Sequence, residues 1–256
     1  MAHVAFDLEI ANELPEGETD WKRHAPLGIS IAAVRKNDRT AFVWNPDRLD
    51  RNQAEALVAG LEAIVHEGHK IVTWNGCGFD FHILAIESGE YERCAHLALN
   101  HVDLMLHVVT LRGHYLGLDR ALDGAGLPRK THTVMLRDGT EIHDMGGALA
   151  PKYWAAGEYD AVHTYLEGDV TQTQALADAT LATGKISWIS AKGKPNTVHV
   201  HKTNGRLATV HELFALEEPD TSWMGNPPTR RQFIDWMPAA VLAKYPNLSE
   251  YVGDAA

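Results

Sequence analysis

The chain opens with alternating apolar and polar residues that predict a β-strand over residues 2–10. Successive side chains of a strand point to opposite faces, so residues two apart share a face. The apolar face would carry Val4, Phe6, Leu8 and Ile10. Asp7 and Glu9 would stand side by side on the other face, where two like charges destabilise a strand. The pair fits either a solvated face or a divalent cation held between two carboxylates.

The next hydrophobic runs predict a hairpin and a helix. Residues 27–35 and 40–44 are strand-like and are joined by a short polar turn. Between residues 54 and 65, apolar side chains recur at helical spacing, and Asn52 and Glu55 are placed as a capping box.

The rest of the pattern consists of one short buried strand followed mostly by helices. Residues 69–75 predict a strand buried on both faces, and residues 134–142, with Asp-Gly at their centre, predict a small hairpin. Helices are predicted over about residues 79–88, 103–112, 117–128 and 159–183. This order of elements predicts an α/β fold in which helices flank a mixed β-sheet.

The composition is that of an ordinary soluble globular protein. Hydrophobic residues make up 45% of the 256 residues and charged residues 22%. No apolar run approaches the ~18 residues that a membrane span needs. The first strand begins too close to Met1 for a signal peptide, and two cysteines suit a reducing compartment. We therefore expect a cytoplasmic protein that does not associate with membranes.

The charge of the chain is acidic and unevenly distributed. The net charge of −11 argues against a nucleic-acid coat protein, which would be basic. Residues 1–184 carry the excess of acidic residues, whereas residues 185–256 are nearly neutral. Carboxylates that collect metal ions would explain the excess, as would a plain acidic surface. The glycine-rich motifs of dinucleotide-binding and P-loop proteins are absent from the sequence.

A second acidic position follows the strand predicted at residues 69–75. Asp80 comes after "NGCGF" at the start of a predicted helix, where a carboxylate is favourable to the helix dipole. The two glycines allow a tight turn and close approach of another group. Phe79 is either a core residue or a platform on which a base stacks. Asp80 therefore has both a structural and a functional interpretation.

A third acidic position lies in the last long helix. Tyr165 and Asp169 are four residues apart and share one face, next to an apolar stripe. A partly buried carboxylate needs a partner, which would be a metal ion or an arginine. Gly168 costs the helix roughly 1 kcal/mol relative to Ala, and close approach of another element would explain it.

The acidic positions come from elements that an α/β sheet can bring to one end. Asp7, Glu9, Asp80 and Asp169 would repel one another there unless cations neutralised them. Oxygen-only ligands favour magnesium or manganese over zinc. The sequence therefore indicates a site for Mg²⁺ or Mn²⁺.

The three acidic motifs together resemble those of the DEDD 3′–5′ exonucleases. "FDLE" resembles the first motif, "NGCGFD" the second and "YLEGD" the third in its Tyr-x-x-x-Asp (DEDDy) form. The Asn-Gly-x-x-Phe-Asp sequence of the second motif is most similar to that of the exonuclease domain of family B DNA polymerases and of related stand-alone exonucleases. The resemblance covers about residues 3–183 and implies a ribonuclease H-like fold. Ile10 departs from it, because these motifs often have Thr there.

The resemblance implies a two-metal phosphodiesterase that uses two Mg²⁺ or Mn²⁺ ions. Asp7 would bridge the two ions. Glu9 and Asp169 would complete the coordination of one ion, and Asp80 would coordinate the other. Tyr165 would orient the attacking water or assist its deprotonation.

The resemblance also implies the substrate contacts. Asn75, Gly76 and Phe79 would contact the terminal nucleotides of a single strand or frayed 3′ end, of DNA or RNA. The products would be nucleoside 5′-monophosphates.

Other functions stay open at this point. A nucleic-acid-binding module that kept the fold without catalysis is one, and an endonuclease or transposase on the same fold is another. A phosphatase of the haloacid dehalogenase type also begins with an acidic strand, but Glu9 stands where that family needs Asp.

The sequence divides into an exonuclease-like domain, residues 1–184, and an extension, residues 185–256, of unknown role. The extension is rich in large apolar residues, so we expect it to pack on the core. Arg230 and Arg231 are expected to form salt bridges rather than to bind nucleic acid. His199 and His201 could share a strand face and bind zinc, but no third ligand is evident.

Overall fold

In the computed structural model, which describes residues 2–18 and 20–254, a mixed five-stranded sheet forms the centre of the fold. Its strands are β1 (His3–Ile10), β2 (Ile29–Lys36), β3 (Arg39–Trp44), β4 (Lys70–Thr73) and β5 (Val102–Asp103). Their order across the sheet is β3-β2-β1-β4-β5. The β1, β2 and β3 strands are antiparallel neighbours, whereas β4 pairs parallel with β1 and β5 with β4. The predicted first strand, hairpin and buried strand are all confirmed.

One face of the sheet is covered by three helices. They are α1 (Arg51–His66), α2 (Asp80–Ser88) and α3 (Tyr91–Asn100). Phe6, Leu8 and Ile10 point into this layer, as the alternation in β1 predicts. The predicted capping box of α1 is wrong by two residues, because Asp50 and Gln53 form it. Helix α3 was not predicted, although its buried residues Cys94, Ala95 and Ala98 recur at helical spacing.

Four more helices follow, and the longest of them covers the other face. They are α4 (Leu104–Arg112), α5 (Leu118–Ala125), α6 (Ala150–Ala155) and α7 (Tyr159–Thr183). The α7 helix packs across β1 and β2 through an apolar stripe that includes Val162, Leu166 and Val170. The predicted bounds of α7 are confirmed, and α6 was not predicted. The α7 helix packs on the face of β1 that carries Asp7 and Glu9, so Glu9 is buried and Asp7 is only partly exposed.

The part of the chain after α7 packs on the core, as expected. Its elements are β8 (Lys185–Ile189), β9 (Pro195–His199), β10 (Lys202–Thr203), β11 (Arg206–Leu207), α8 (Val210–Leu213), α9 (Arg231–Ile234), α10 (Ala239–Leu242) and a 3-10 helix over Pro246–Asp254. The predicted small hairpin is confirmed as β6 (Val134–Met135) and β7 (Glu141–Ile142), and a 3-10 turn spans Trp21–His24. Leu213, Phe233 and Val241 are buried with the α1–α3 layer.

The division of the chain at residue 184 stays a prediction. Met1 and residues 255–256, which fall at the outer ends of the two predicted domains, lie outside the described residues. Arg230 is buried and donates hydrogen bonds to the carbonyl oxygens of Phe214 and Leu216, and its Nε lies 3.7 Å from a carboxylate oxygen of Glu218. No helix in the described ranges combines the length and apolar character needed to cross a membrane.

Candidate active site

An open cleft of about 570 Å³ lies beside the second half of β1. It is lined by side chains from β1, from the turn before α2, from the loop around residue 130 and from α7. The polar and aromatic ones include Asp7, Glu9, Trp74, Phe79, Arg120, Lys130, His132, Tyr165 and Asp169. Three of the four predicted acidic residues therefore face the same space.

The fourth acidic residue is connected to that space through Asp7. The backbone N–H of Leu8 donates to Asp7 Oδ1 at 3.0 Å and to Asp80 Oδ1 at 3.1 Å. Asp7 and Asp80 also share a hydrogen bond, which needs a proton on one of them. Burial and then repulsion from Asp7 raise the pKa of Asp80 well above its usual range. Asp80 is 2% exposed and is not among the lining side chains.

Glu9 is buried close to the other acidic groups. Burial, followed by repulsion from Asp7 and Asp169, raises the pKa of Glu9 well above its usual value. A methyl group added at Gly147 would lie 3.6 Å from Glu9 Oε2 and 3.9 Å from the Tyr165 hydroxyl. Glycine there keeps the space beside both groups open.

Asp169 and Tyr165 meet a lysine that sequence reasoning did not single out. Lys130 Nζ lies 2.6 Å from Asp169 Oδ2 and donates to the Tyr165 hydroxyl at 2.7 Å. Burial, followed by the negative charges of Glu9 and Asp169, raises the pKa of the Tyr165 phenol. Burial raises the pKa of Asp169 to about 6 even though Lys130 opposes the shift. The expected partner of Asp169 is thus present as a lysine, and the arginine alternative is wrong.

The loop that carries Lys130 lies directly against α7. A methyl group added at Gly168 would overlap Thr131 Oγ1 and lie 2.8 Å from Thr131 Cβ. The close approach expected at Gly168 is confirmed, and it identifies this loop as the approaching element. Burial alone would lower the pKa of Lys130, but Asp169, Asp7 and Glu9 together raise it above its usual value.

The turn before α2 is built on a buried carboxylate. Asp103 accepts hydrogen bonds from the N–H groups of Asn75 and Cys77, both at 3.0 Å. Asn75 adopts a left-handed backbone with φ 72°, and the Gly76 N–H donates to Thr73 Oγ1 at 3.0 Å. Asn75 and Gly76 thus shape the turn and do not line the cleft. Their contact with substrate stays a prediction.

Aromatic rings extend from the cleft toward the last part of the chain. Phe79 is half-buried and packs edge-to-face with Trp21, with ring centroids 5.3 Å apart. Trp21 contacts the His82 ring, which stacks on Trp236 at 5.1 Å. Burial lowers the pKa of His82 to about 4. Phe79 is thus partly a core residue and partly a surface of the cleft.

The last part of the chain also supports the turn. The indole N–H of Trp236 donates to the carbonyl oxygen of Cys77 at 3.1 Å, and the Cys77 thiol lies 3.5 Å from the carbonyl oxygen of Phe233. A methyl group at Gly78 would lie 2.9 Å from the Phe233 ring. These contacts were not visible in the sequence pattern.

The donor set fits a hard divalent cation, although its groups are not arranged as a finished metal site. Among the described residues, no three His, Cys, Asp or Glu side chains form a group that could hold a metal ion. Asp169 Oδ1 is buried without a hydrogen-bond partner, and all four acidic groups offer oxygen. Oxygen donors suit magnesium or manganese. His199 and His201 are exposed and do not form a zinc site with other described side chains.

Comparison with known proteins agrees with the sheet and its flanking helices. The RNase_H superfamily model (RNase_H_2) matches residues 18–180, which is more than half of the chain. The matched stretch begins after Asp7 and Glu9, so these two residues are placed by the geometry alone. No curated protein matches the chain.

Solved structures also match. One is the family B DNA polymerase from the hyperthermophilic archaeon Pyrobaculum calidifontis, with 22% sequence identity and a TM-score of 0.48. The match covers 70% of this chain and 24% of the polymerase chain, so the chain spans about a quarter of that protein.

Proposed function

Because the chain belongs to the RNase_H superfamily, we propose that it is a metal-dependent 3′–5′ exonuclease. The observation that carries the proposal is the meeting of Asp7, Glu9, Asp80 and Asp169 beside one cleft. Burying four carboxylic acids together is unfavourable for stability, because each loses its hydration and repels the others. A catalytic role for the cluster accounts for that arrangement.

The four acidic side chains would hold two divalent cations, Mg²⁺ or Mn²⁺. Such ions, when bound, stabilise the charge that develops on a phosphodiester and lower the pKa of water. The donor fit rests on oxygen ligands and on the unpartnered Asp169 Oδ1. Burial and mutual repulsion raise the pKa values of Glu9 and Asp80, and a bound cation would oppose that shift by favouring their charged forms.

Tyr165 would act as a hydrogen-bond donor in this site. Burial and the neighbouring carboxylates raise the pKa of its phenol, so the hydroxyl keeps its proton near neutral pH. The hydroxyl accepts a hydrogen bond from Lys130, which also pairs with Asp169. Tyr165 would therefore orient a water molecule rather than deprotonate it, which refines one of the two roles inferred from the resemblance.

The cleft would receive the 3′ end of a single strand. Phe79 offers a ring face or edge to a terminal base, and stacking of this kind contributes ~1–3 kcal/mol per base. Arg120 and His132 line the same cleft and would face the phosphates. The preference for a free 3′ end is supported by the order of the three acidic motifs and by the Tyr-x-x-x-Asp spacing.

The test is a gel assay on 5′-labelled single-stranded DNA and RNA with magnesium, manganese or EDTA. Asp7→Asn and Asp169→Asn should abolish hydrolysis. Asp160→Asn, an exposed position in the first turn of the same helix as Asp169, should leave it unchanged. Circular dichroism of each variant establishes that the fold is kept.

The outcomes separate the candidate functions. A metal-dependent ladder that shortens from the 3′ end, lost in both site variants, supports the exonuclease and identifies its sugar preference. Cleavage of circular single-stranded DNA, which has no 3′ end, would point to an endonuclease. Binding of single-stranded DNA and RNA without cleavage would support a non-catalytic binding module.

A further inference from the structure

Lys130 places a positive charge inside the acidic cluster. Its Nζ lies 2.6 Å from Asp169 Oδ2 and 2.7 Å from the Tyr165 hydroxyl, and its side chain is 21% exposed. The ammonium thus lies where Asp169 would otherwise offer an oxygen to a metal ion. The negative charges of Asp7 and Glu9 also attract this ammonium.

The surrounding residues hold the Lys130 loop in place. Asp119 Oδ1 accepts the backbone N–H of Lys130 at 2.9 Å, and Asp119 Oδ2 lies 2.8 Å from His132 Nε2. The other ring nitrogen of His132 lies 2.8 Å from the carbonyl oxygen of Met145. Because the backbone is anchored on both sides of the lysine, the side chain can move while the loop stays.

The charge balance of the cluster explains why such a lysine is useful. Without a cation, the neighbouring carboxylates repel one another, and the cluster opposes folding. One ammonium neutralises only one of these charges. It leaves Asp169 Oδ1 and the Asp7–Asp80 pair available, while the described residues show no finished site of three ligands.

We propose that Lys130 is a built-in counter-cation that competes with a divalent ion for Asp169. The inference rests on the proposed metal-dependent function. The cation position formed by Asp7 and Asp80 fills first, and the position that includes Asp169 fills only when Lys130 withdraws toward the cleft. The two positions therefore bind metal at different concentrations. Lys130 determines the ratio between the two dissociation constants.

The test measures Mn²⁺ binding directly, by calorimetry and by the loss of the free-Mn²⁺ electron paramagnetic resonance signal. Wild type should bind two ions, the second about tenfold or more weaker than the first, because it must displace a charge-assisted hydrogen bond. Lys130→Met should tighten the second event roughly tenfold or more and leave the first within a few fold. Lys130→Arg, which keeps the charge, should resemble wild type.

A matched control separates this effect from a general loss of positive charge. Lys36 forms an ion pair with Glu67 at 2.6 Å, but on the protein surface. Lys36→Met should bind both ions as wild type does. The same binding curve in all four proteins would overturn the competition while leaving the metal site intact.

The remaining outcomes are also decisive. If wild type binds one ion and Lys130→Met binds two, the proposal is supported. If neither binds Mn²⁺, the metal-dependent function fails and the inference fails with it.

A second measurement needs no variant, in case Lys130→Met does not fold without metal. Amine labelling of wild type, read by mass spectrometry, should modify Lys130 slowly in EDTA. The labelling should accelerate over the Mn²⁺ range in which the second ion binds, with Lys36 as the internal standard. Labelling of Lys130 that does not respond to Mn²⁺ would overturn the proposal.

Discussion

The contact between Gly168 and Thr131 gives a quantitative test of how the Lys130 loop is seated. A Cβ at position 168 would lie 2.8 Å from Thr131 Cβ, whereas carbon atoms pack at ~3.5–4.0 Å. The loop must therefore retreat by roughly 1 Å in Gly168→Ala, and overpacking of this kind costs about 1–3 kcal/mol. Alanine is about 1 kcal/mol more favourable than glycine inside a helix, and this gain offsets part of the cost. We therefore expect Gly168→Ala to lower the free energy of unfolding by roughly 0–2 kcal/mol.

Gly60→Ala is the matched control for this substitution. Gly60 also lies inside a helix, but a Cβ there would meet no atom within 4 Å. Gly60→Ala should therefore stabilise the protein by up to about 1 kcal/mol. The difference between the two variants, measured by urea unfolding in EDTA, should be roughly 1–3 kcal/mol.

A double-mutant cycle identifies the cause of the difference. Thr131→Gly removes the atoms that the new methyl group would meet, so Gly168→Ala should be much better tolerated in that background. A coupling free energy of about 1 kcal/mol or more is expected for residues in direct contact. If Gly168→Ala stabilises the protein as much as Gly60→Ala does, the reasoning about this loop is wrong.

Two further predictions concern pH and the end of the chain. The folded pKa of His82 is lowered to about 4, so its stabilising contribution is complete above the unfolded pKa near 6.5 and is lost as pH falls toward 4. His82→Phe should therefore gain stability relative to wild type by up to about 3 kcal/mol over that window, measured by urea unfolding at several pH values. A pH-independent difference would contradict this cause. Removal of residues 185–256 should yield a protein without fixed tertiary structure, because Leu213, Phe233 and Val241 belong to the core. Near-ultraviolet circular dichroism and gel filtration test this, and a folded monomer would show that residues 1–184 are an independent domain.

Regular elements made part of the site predictable from the sequence. The period of a strand places Asp7 and Glu9 on one face, and the period of a helix aligns Tyr165 with Asp169. The glycine before Asp169 indicated that another element approaches closely, and the structure identifies that element.

Irregular segments hid the rest of the site. Lys130 lies in a loop whose position depends on Asp119 and on packing against α7, and neither contact has a sequence period. The capping box shows the same limit on a smaller scale. Leu49 is buried and donates its N–H to the Ile29 carbonyl at 2.7 Å, so the helix starts directly after it with Asp50 as its cap.

The support of the Cys77 turn by Phe233 and Trp236 has a consequence for the timing of protein synthesis. The partners of Cys77 lie 156 and 159 positions further along the chain. A ribosome that adds 5–20 residues per second needs roughly 8–30 s to cover that distance. During this interval all three acidic motifs can leave the ribosome while the turn before Asp80 still lacks its final partners. In a nascent chain, the turn before Asp80 therefore reaches its final set of contacts only after Phe233 and Trp236 have been synthesised.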